Sequence, residues 1–145
     1  MQRTAIDPRW QNIDVIERLV RESRTVAVVG LSPDPHRPSH GVARGMRASG
    51  WRILPVNPAI SSWEGLAAYP SLEALPEVPD IVDVFRRSEH AAGVASEAVA
   101  IGAGALWLQI GVISDEAARI AAAGGLDVVM DRCLLVEHRE VVGWS

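Results

Sequence analysis

Gly30, Ser32, Arg37, Ser39 and Gly41 follow directly on the apolar run Val26-Ala27-Val28-Val29. These residue types suit a phosphate. A glycine lets the chain turn where a side chain would block an oxyanion. Hydroxyls and a guanidinium donate to its oxygens. A helix starting near Ser39 adds backbone N–H groups and the positive end of its dipole, with Ser39 standing where its N-cap would be. The ends of the later apolar runs carry Asn57 and Pro58, then Phe85, Arg86 and Arg87, then Gln109 and Gly111, then Asp131, Arg132 and Cys133. All 14 basic residues are arginine. Neither a lysine Schiff base nor a P-loop lysine is therefore available, and phosphate contacts fall to arginine, hydroxyls and backbone.

The elements that position these residues are legible in the hydrophobic pattern. Helical spacing runs from about Asn12 to Ser23, from Ser39 to Ser49, from Ser88 to Ile101 and from Ser114 to Ala123. Short apolar runs at Thr25–Val29, Trp51–Val56, Asp80–Phe85, Ala105–Ile110 and Leu126–Met130 read as strands. They are continuous rather than alternating, as expected of strands covered on both faces. Residues 59–79 read as irregular, with one helical turn across Tyr69–Pro76, and the residues after Met130 are left as a tail. Strands alternating with helices predict an α/β fold: a Rossmann-like, doubly wound, mostly parallel five-stranded sheet flanked by helices. In such a sheet ligands bind outside the carboxyl ends of the strands, which is where the polar and glycine residues above converge.

Two departures argue against a nicotinamide dinucleotide. The G-x-G-x-x-G fingerprint is replaced by Gly30-x-Ser32 and a Pro-rich insert before Gly41. The acid that would hold the ribose diol after the second strand is replaced by Asn57-Pro58. A neutral residue there suits a ligand carrying an extra phosphate.

Val29-Gly30-Leu31-Ser32, Arg37-Pro38-Ser39-His40-Gly41-Val42, Pro55-Val56-Asn57-Pro58, Val82-Asp83-Val84-Phe85-Arg86, Trp107-Leu108-Gln109-Ile110-Gly111-Val112 and Met130-Asp131-Arg132-Cys133 occur in that order. Together they resemble the small single-domain CoA-binding proteins, which are related to the CoA-binding domain of the succinyl-CoA synthetase alpha subunit. The resemblance spans about residues 12–138 of a single 1–145 domain. It implies coenzyme A or an acyl-CoA as ligand. It places the adenosine and its phosphates near Gly30, Ser32, Arg37, Ser39 and Gly41, with Asn57 and Pro58 on the adenosine side. Phe85, Arg86, Gln109 and Gly111 then border the diphosphate and pantetheine path. The synthetase phosphohistidine has no counterpart: His36, His40, His90 and His138 match no such motif, and no residues follow Ser145 to build a second domain. Binding is carried over and catalysis is not.

The alternatives are an NAD(P)-dependent oxidoreductase and an accessory subunit of an acyl-CoA-forming enzyme. An enzyme would need His40, Asp83 or Asp131 as its acid or base. His40 is read as a first-turn packing residue, His90 and His138 fall in helix and tail, and no spacing suggests a metal. Cys133, the single cysteine, is read as a small buried residue, with a nucleophile or a mixed disulfide with a thiol ligand as the alternative. Of the five tryptophans, Trp107 is read as core, and Trp51 and Trp144 as partly exposed.

A net charge of −4 argues against nucleic acid as a partner. No apolar run reaches membrane-spanning length and no signal core is present, so a cytoplasmic protein is expected. The expected protein partners are a second copy of the chain, as a homodimer, or a separate catalytic chain on which it docks.

Overall fold

The five apolar runs are strands of one parallel sheet. The computed structural model describes residues 5–143. After a 3₁₀ turn at Pro8–Gln11 come α1 (Ile13–Glu22), β1 (Thr25–Val29), α2 (Pro38–Ala48) and β2 (Arg52–Val56). A small antiparallel hairpin follows, β3 (Ser62–Trp63) and β4 (Leu66–Ala67), then a 3₁₀ turn at Leu72–Ala74. The second half is β5 (Ile81–Val84), α3 (Ser88–Ala100), β6 (Ala105–Leu108), α4 (Asp115–Ala123), β7 (Asp127–Met130) and α5 (Leu134–Val142). The sheet order is β2-β1-β5-β6-β7, and every neighbouring pair is parallel.

Both faces are covered, which is why the strands are apolar throughout rather than alternating. On one face Ile16, Val20, Met46 and Leu134 from α1, α2 and α5 pack on Val26, Val28, Trp107 and Val129. On the other, alanines of α3 and α4 (Ala91, Ala95, Ala117, Ala121) pack on Val82, Val84, Leu106 and Leu108. At the amino edge Asp80 sets the register of β5 on β1. Its carboxylate accepts from the backbone N–H groups of Arg24 and Thr25 at 2.7 and 3.1 Å, and its own N–H donates to the Thr25 hydroxyl at 2.9 Å.

The structure departs from the sequence expectation in four places. The tail after Met130 is the helix α5, which buries Leu134, Leu135 and His138. Its pattern is short and puts a histidine where an aliphatic would signal a core face. The irregular stretch contains the β3–β4 hairpin, whose two-residue strands are too brief to show a period. Trp51 is 4% exposed rather than partly exposed, because α5 lies over it. Its ring meets His138 edge-on, with centroids 5.8 Å apart. Trp144 lies outside the described residues. The fourth difference, at the start of α2, belongs to the site.

Burial, with smaller contributions from the Arg139 and Arg24 charges, holds the His138 imidazole below its usual pKa. The unfolded chain takes up a proton near pH 6.5 while the folded chain does not. The stability contributed by neutral His138 is therefore full above that pH and declines on acidification. Thermal melts followed by circular dichroism, read as the difference between wild type and His138→Gln, should show the wild type losing Tm relative to the variant from pH 7 to pH 5.

Candidate functional site

The strand order reverses between β1 and β5, so the loops leaving these neighbours diverge to opposite faces and open a crevice at their carboxyl ends. Gly30 sits at its floor. Its N–H donates to the Val56 carbonyl at 2.8 Å, and its φ of +87° lies in the left-handed region. A Cβ there would stand 2.6 Å from the Phe85 carbonyl oxygen and 3.1 Å from Arg86 Cδ. Only glycine lets the two loops come this close. Gly30→Ala should cost about 2 kcal/mol or more, from the left-handed backbone and the clash with a carbonyl that cannot rotate away. A denaturant titration should show that loss as a lower midpoint with an unchanged slope.

The Pro-rich insert folds on itself. The Ser32 N–H donates to Ser39 Oγ at 3.0 Å, the Asp34 N–H to Ser32 Oγ at 3.0 Å and the His36 N–H to Asp34 Oδ1 at 2.9 Å. Ser39 is thus not the N-cap of α2. Arg37 holds that place without a side-chain cap, and Pro38, which has no N–H to satisfy, opens the helix. The Ser39 hydroxyl instead ties the loop to the first turn, while the open end of α2 faces the crevice.

Most of the residues singled out in the sequence line one groove of about 1050 Å³. Gly30, Ser32, Arg37, Ser39 and Gly41 come from the β1–α2 connection, Phe85 and Arg86 from the end of β5, and Gln109 and Gly111 from the end of β6. Pro58 lines a smaller adjoining cavity of about 270 Å³ with Ser71, His90 and Glu97, and Arg86 is the wall the two share. Asn57 lines neither. Its amide nitrogen donates to the Leu31 carbonyl at 2.9 Å and its oxygen accepts from the Ala59 N–H at 2.8 Å, so it braces the β1 and β2 loops together.

The groove is chemically graded. At the β1 end Arg37 and Arg86 are exposed, and neither has an ion-pair partner among the described residues. At the far end the wall is apolar: Ile110 and Val136 are 65% and 41% exposed, beside Val112 and Leu135. Between them Gln109 is 5% exposed, and its Oε1 has no hydrogen-bond partner among the described residues. Cys133, half-buried, lines the apolar end. The sequence listing of strand ends reached Cys133 and Gln109, but Leu135 and Val136 enter only because α5 folds back along the groove.

The loops at that end are held by side chains. Asp131, at a φ of +58°, accepts from the Gly111 N–H at 2.7 Å. The Trp107 indole donates to the Arg132 carbonyl at 2.8 Å, and Arg132 pairs with Glu137 at 3.0 Å. Asp131 is therefore a loop brace. His40 is also engaged: the Trp63 indole N–H donates to its Nδ1 at 3.1 Å, which leaves Nε2 facing Glu64 Oε1 at 3.3 Å. This is the packing role expected of it, clamping the β3–β4 hairpin to α2.

Asp83, the remaining acid/base candidate, does not reach the groove. It lies mid-strand between Val28 and Trp107 with 0% exposure and no hydrogen-bond partner among the described residues for either oxygen. Burial pushes its carboxyl well above the usual range, so the folded protein keeps a proton that the unfolded chain gives up near pH 4. Stability is then lost as pH rises above the unfolded value, until the folded pKa is reached. Relative to wild type, Asp83→Asn should gain up to about 1.4 kcal/mol per pH unit within that window. Parallel urea titrations from pH 4 to pH 8 check this, and a constant difference between the two proteins would contradict it.

Among the described residues no cluster of three His, Cys, Asp or Glu is placed to hold a metal ion, and no helix is long and apolar enough to cross a membrane. A model of the CoA binding domain family matches residues 24–139. The chain belongs to that family. The match takes in β1 through most of α5, and so every wall of the groove. The chain is 42% identical over 123 residues to the uncharacterized protein YneT of Bacillus subtilis (strain 168), covering 85% of this chain and 91% of that one. It superposes on a hypothetical protein from Pyrococcus horikoshii OT3 with a TM-score of 0.90 at 28% identity, covering 99% and 100% of the two chains. It is also similar to part of the dinucleotide-forming acetyl-coenzyme A synthetase 1 of Ca. Korarchaeum cryptofilum in its apo form, at 25% identity and a TM-score of 0.68. That likeness covers 80% of this chain and 28% of the synthetase.

Proposed function

We propose that the groove binds coenzyme A or an acyl-CoA and holds it without turning it over. The observation that carries this reading is the grading of one continuous groove. A glycine turn, a helix N-terminus and two guanidiniums stand at one end, and apolar side chains with one amide oxygen stand toward the other, all three polar groups without a partner among the described residues. Coenzyme A has the matching order: anionic phosphates, then an arm with dimethyl and methylene groups and two amide N–H donors. The diphosphate would lie at Gly30, Ser32 and the α2 N-terminus, where backbone and dipole favour negative charge. Arg37 and Arg86 would supply charge-assisted hydrogen bonds. The adenosine would turn past Arg86 toward Pro58, and the pantetheine arm would run past Gln109 toward Ile110 and Val136.

A holding role rests on where the three acid and base candidates of the sequence are. Asp83 is in the sheet, and Asp131 and His40 are occupied in bracing loops and hairpin. The likeness to part of a longer acetyl-CoA synthetase supports a second reading, in which the chain presents its ligand to a separate catalytic chain.

A ligand that binds only the folded state stabilises it by about 2.7 kcal/mol at a hundred times its Kd, or about 8 °C in Tm for a domain of this size. Thermal melts with CoA, acetyl-CoA, NAD, NADP and ATP should show the largest rise with the two CoA species. Arg86→Ala should weaken CoA binding by about tenfold or more, from loss of one charge-assisted contact. A clear rise with NAD and none with CoA would overturn the reading.

A further inference from the structure

We propose that Cys133 is a thiol-exchange site that captures the ligand thiol as a mixed disulfide. The inference rests on the CoA reading of the groove and adds a covalent step to it. Four observations support it. Cys133 lines the groove at its apolar end and is half-buried rather than enclosed. It lies beyond β7, and β7 is three strand steps, about 14 Å across the sheet, from β1. An arm leaving a phosphate at Gly30 and crossing β5 and β6 ends in this region. On that path lies Gln109, 5% exposed, whose Oε1 has no hydrogen-bond partner among the described residues and would accept from an amide N–H of the arm.

The fourth observation is that Cys133 is held still. The residue before it is fixed by the Trp107 indole on its carbonyl and by the Arg132–Glu137 pair, and the residue after it is buried at the start of α5. A thiol that needs no ordering at the moment of reaction loses less entropy in meeting a partner delivered by the groove.

The step is thiol–disulfide exchange with a CoA disulfide. The Cys133 sulfur, as thiolate, attacks one sulfur of the ligand S–S bond. A new bond forms between Cys133 and that CoA sulfur. The original S–S bond breaks, and its electron pair leaves with the second CoA as a thiolate, which takes up the proton that Cys133 released. One disulfide replaces another, with no net oxidation and no further reactant.

The test uses the full chain and intact-mass spectrometry. Incubation with CoA disulfide should add one CoA unit, released by dithiothreitol. The adduct should form about tenfold faster or more than the glutathione adduct forms from glutathione disulfide, because the groove raises the local concentration of the reacting sulfur. Acetyl-CoA, which fills the groove without a free thiol, should slow the CoA adduct. Arg86→Ala should slow the CoA reaction by a larger factor than it slows the glutathione reaction. Equal rates with the two disulfides, or no protection by acetyl-CoA, would overturn the proposal even if CoA still raises Tm. If CoA gives neither a rise in Tm nor protection, the CoA reading falls with it.

Discussion

Two loops can bring their backbones this close only where no Cβ stands between them, and the crevice depends on one such place. Gly30 lies against the Phe85 carbonyl, in a backbone conformation other residues rarely adopt. This contact brings the end of β5, with Arg86, beside the start of the β1–α2 loop. It also turns the chain so that α2 begins with its N-terminus toward the crevice. A wider approach would move Arg86 away from the helix end and leave two separate cationic spots instead of one phosphate-sized concavity.

Around that contact the polar side chains divide by task. Asn57, Ser39, Asp131 and the Trp107 indole spend their hydrogen bonds on backbone groups of neighbouring loops. Arg37 and Arg86 have no ion-pair partner among the described residues, and Gln109, which lines the groove with them, keeps an unpartnered Oε1. The first set makes the second set useful. A loop pinned from both sides presents its free groups in one arrangement, so less conformational entropy is lost when a ligand arrives.

Asp83 runs against this order. A carboxyl buried between Val28 and Trp107 with no donor among the described residues costs stability relative to an apolar side chain of like size. Its neutral form limits that cost, and the rest of the sheet is apolar enough to carry it.

The amino-acid sequence alone determined the class of fold, because apolar runs covered on both faces leave a one-dimensional signature that helices between them confirm. It also picked out the strand ends, since glycine, hydroxyl and guanidinium residues interrupting such runs have no place in the core. It could not show that Asn57 faces inward to Leu31 while Arg86 faces two cavities: both follow an apolar run and look alike in one dimension. The path of α5 was hidden as well, one of its three buried positions being a histidine that packs edge-on against Trp51. Tertiary structure decided these points because they depend on which loops meet across the sheet order, and strand order is set by packing rather than by local pattern.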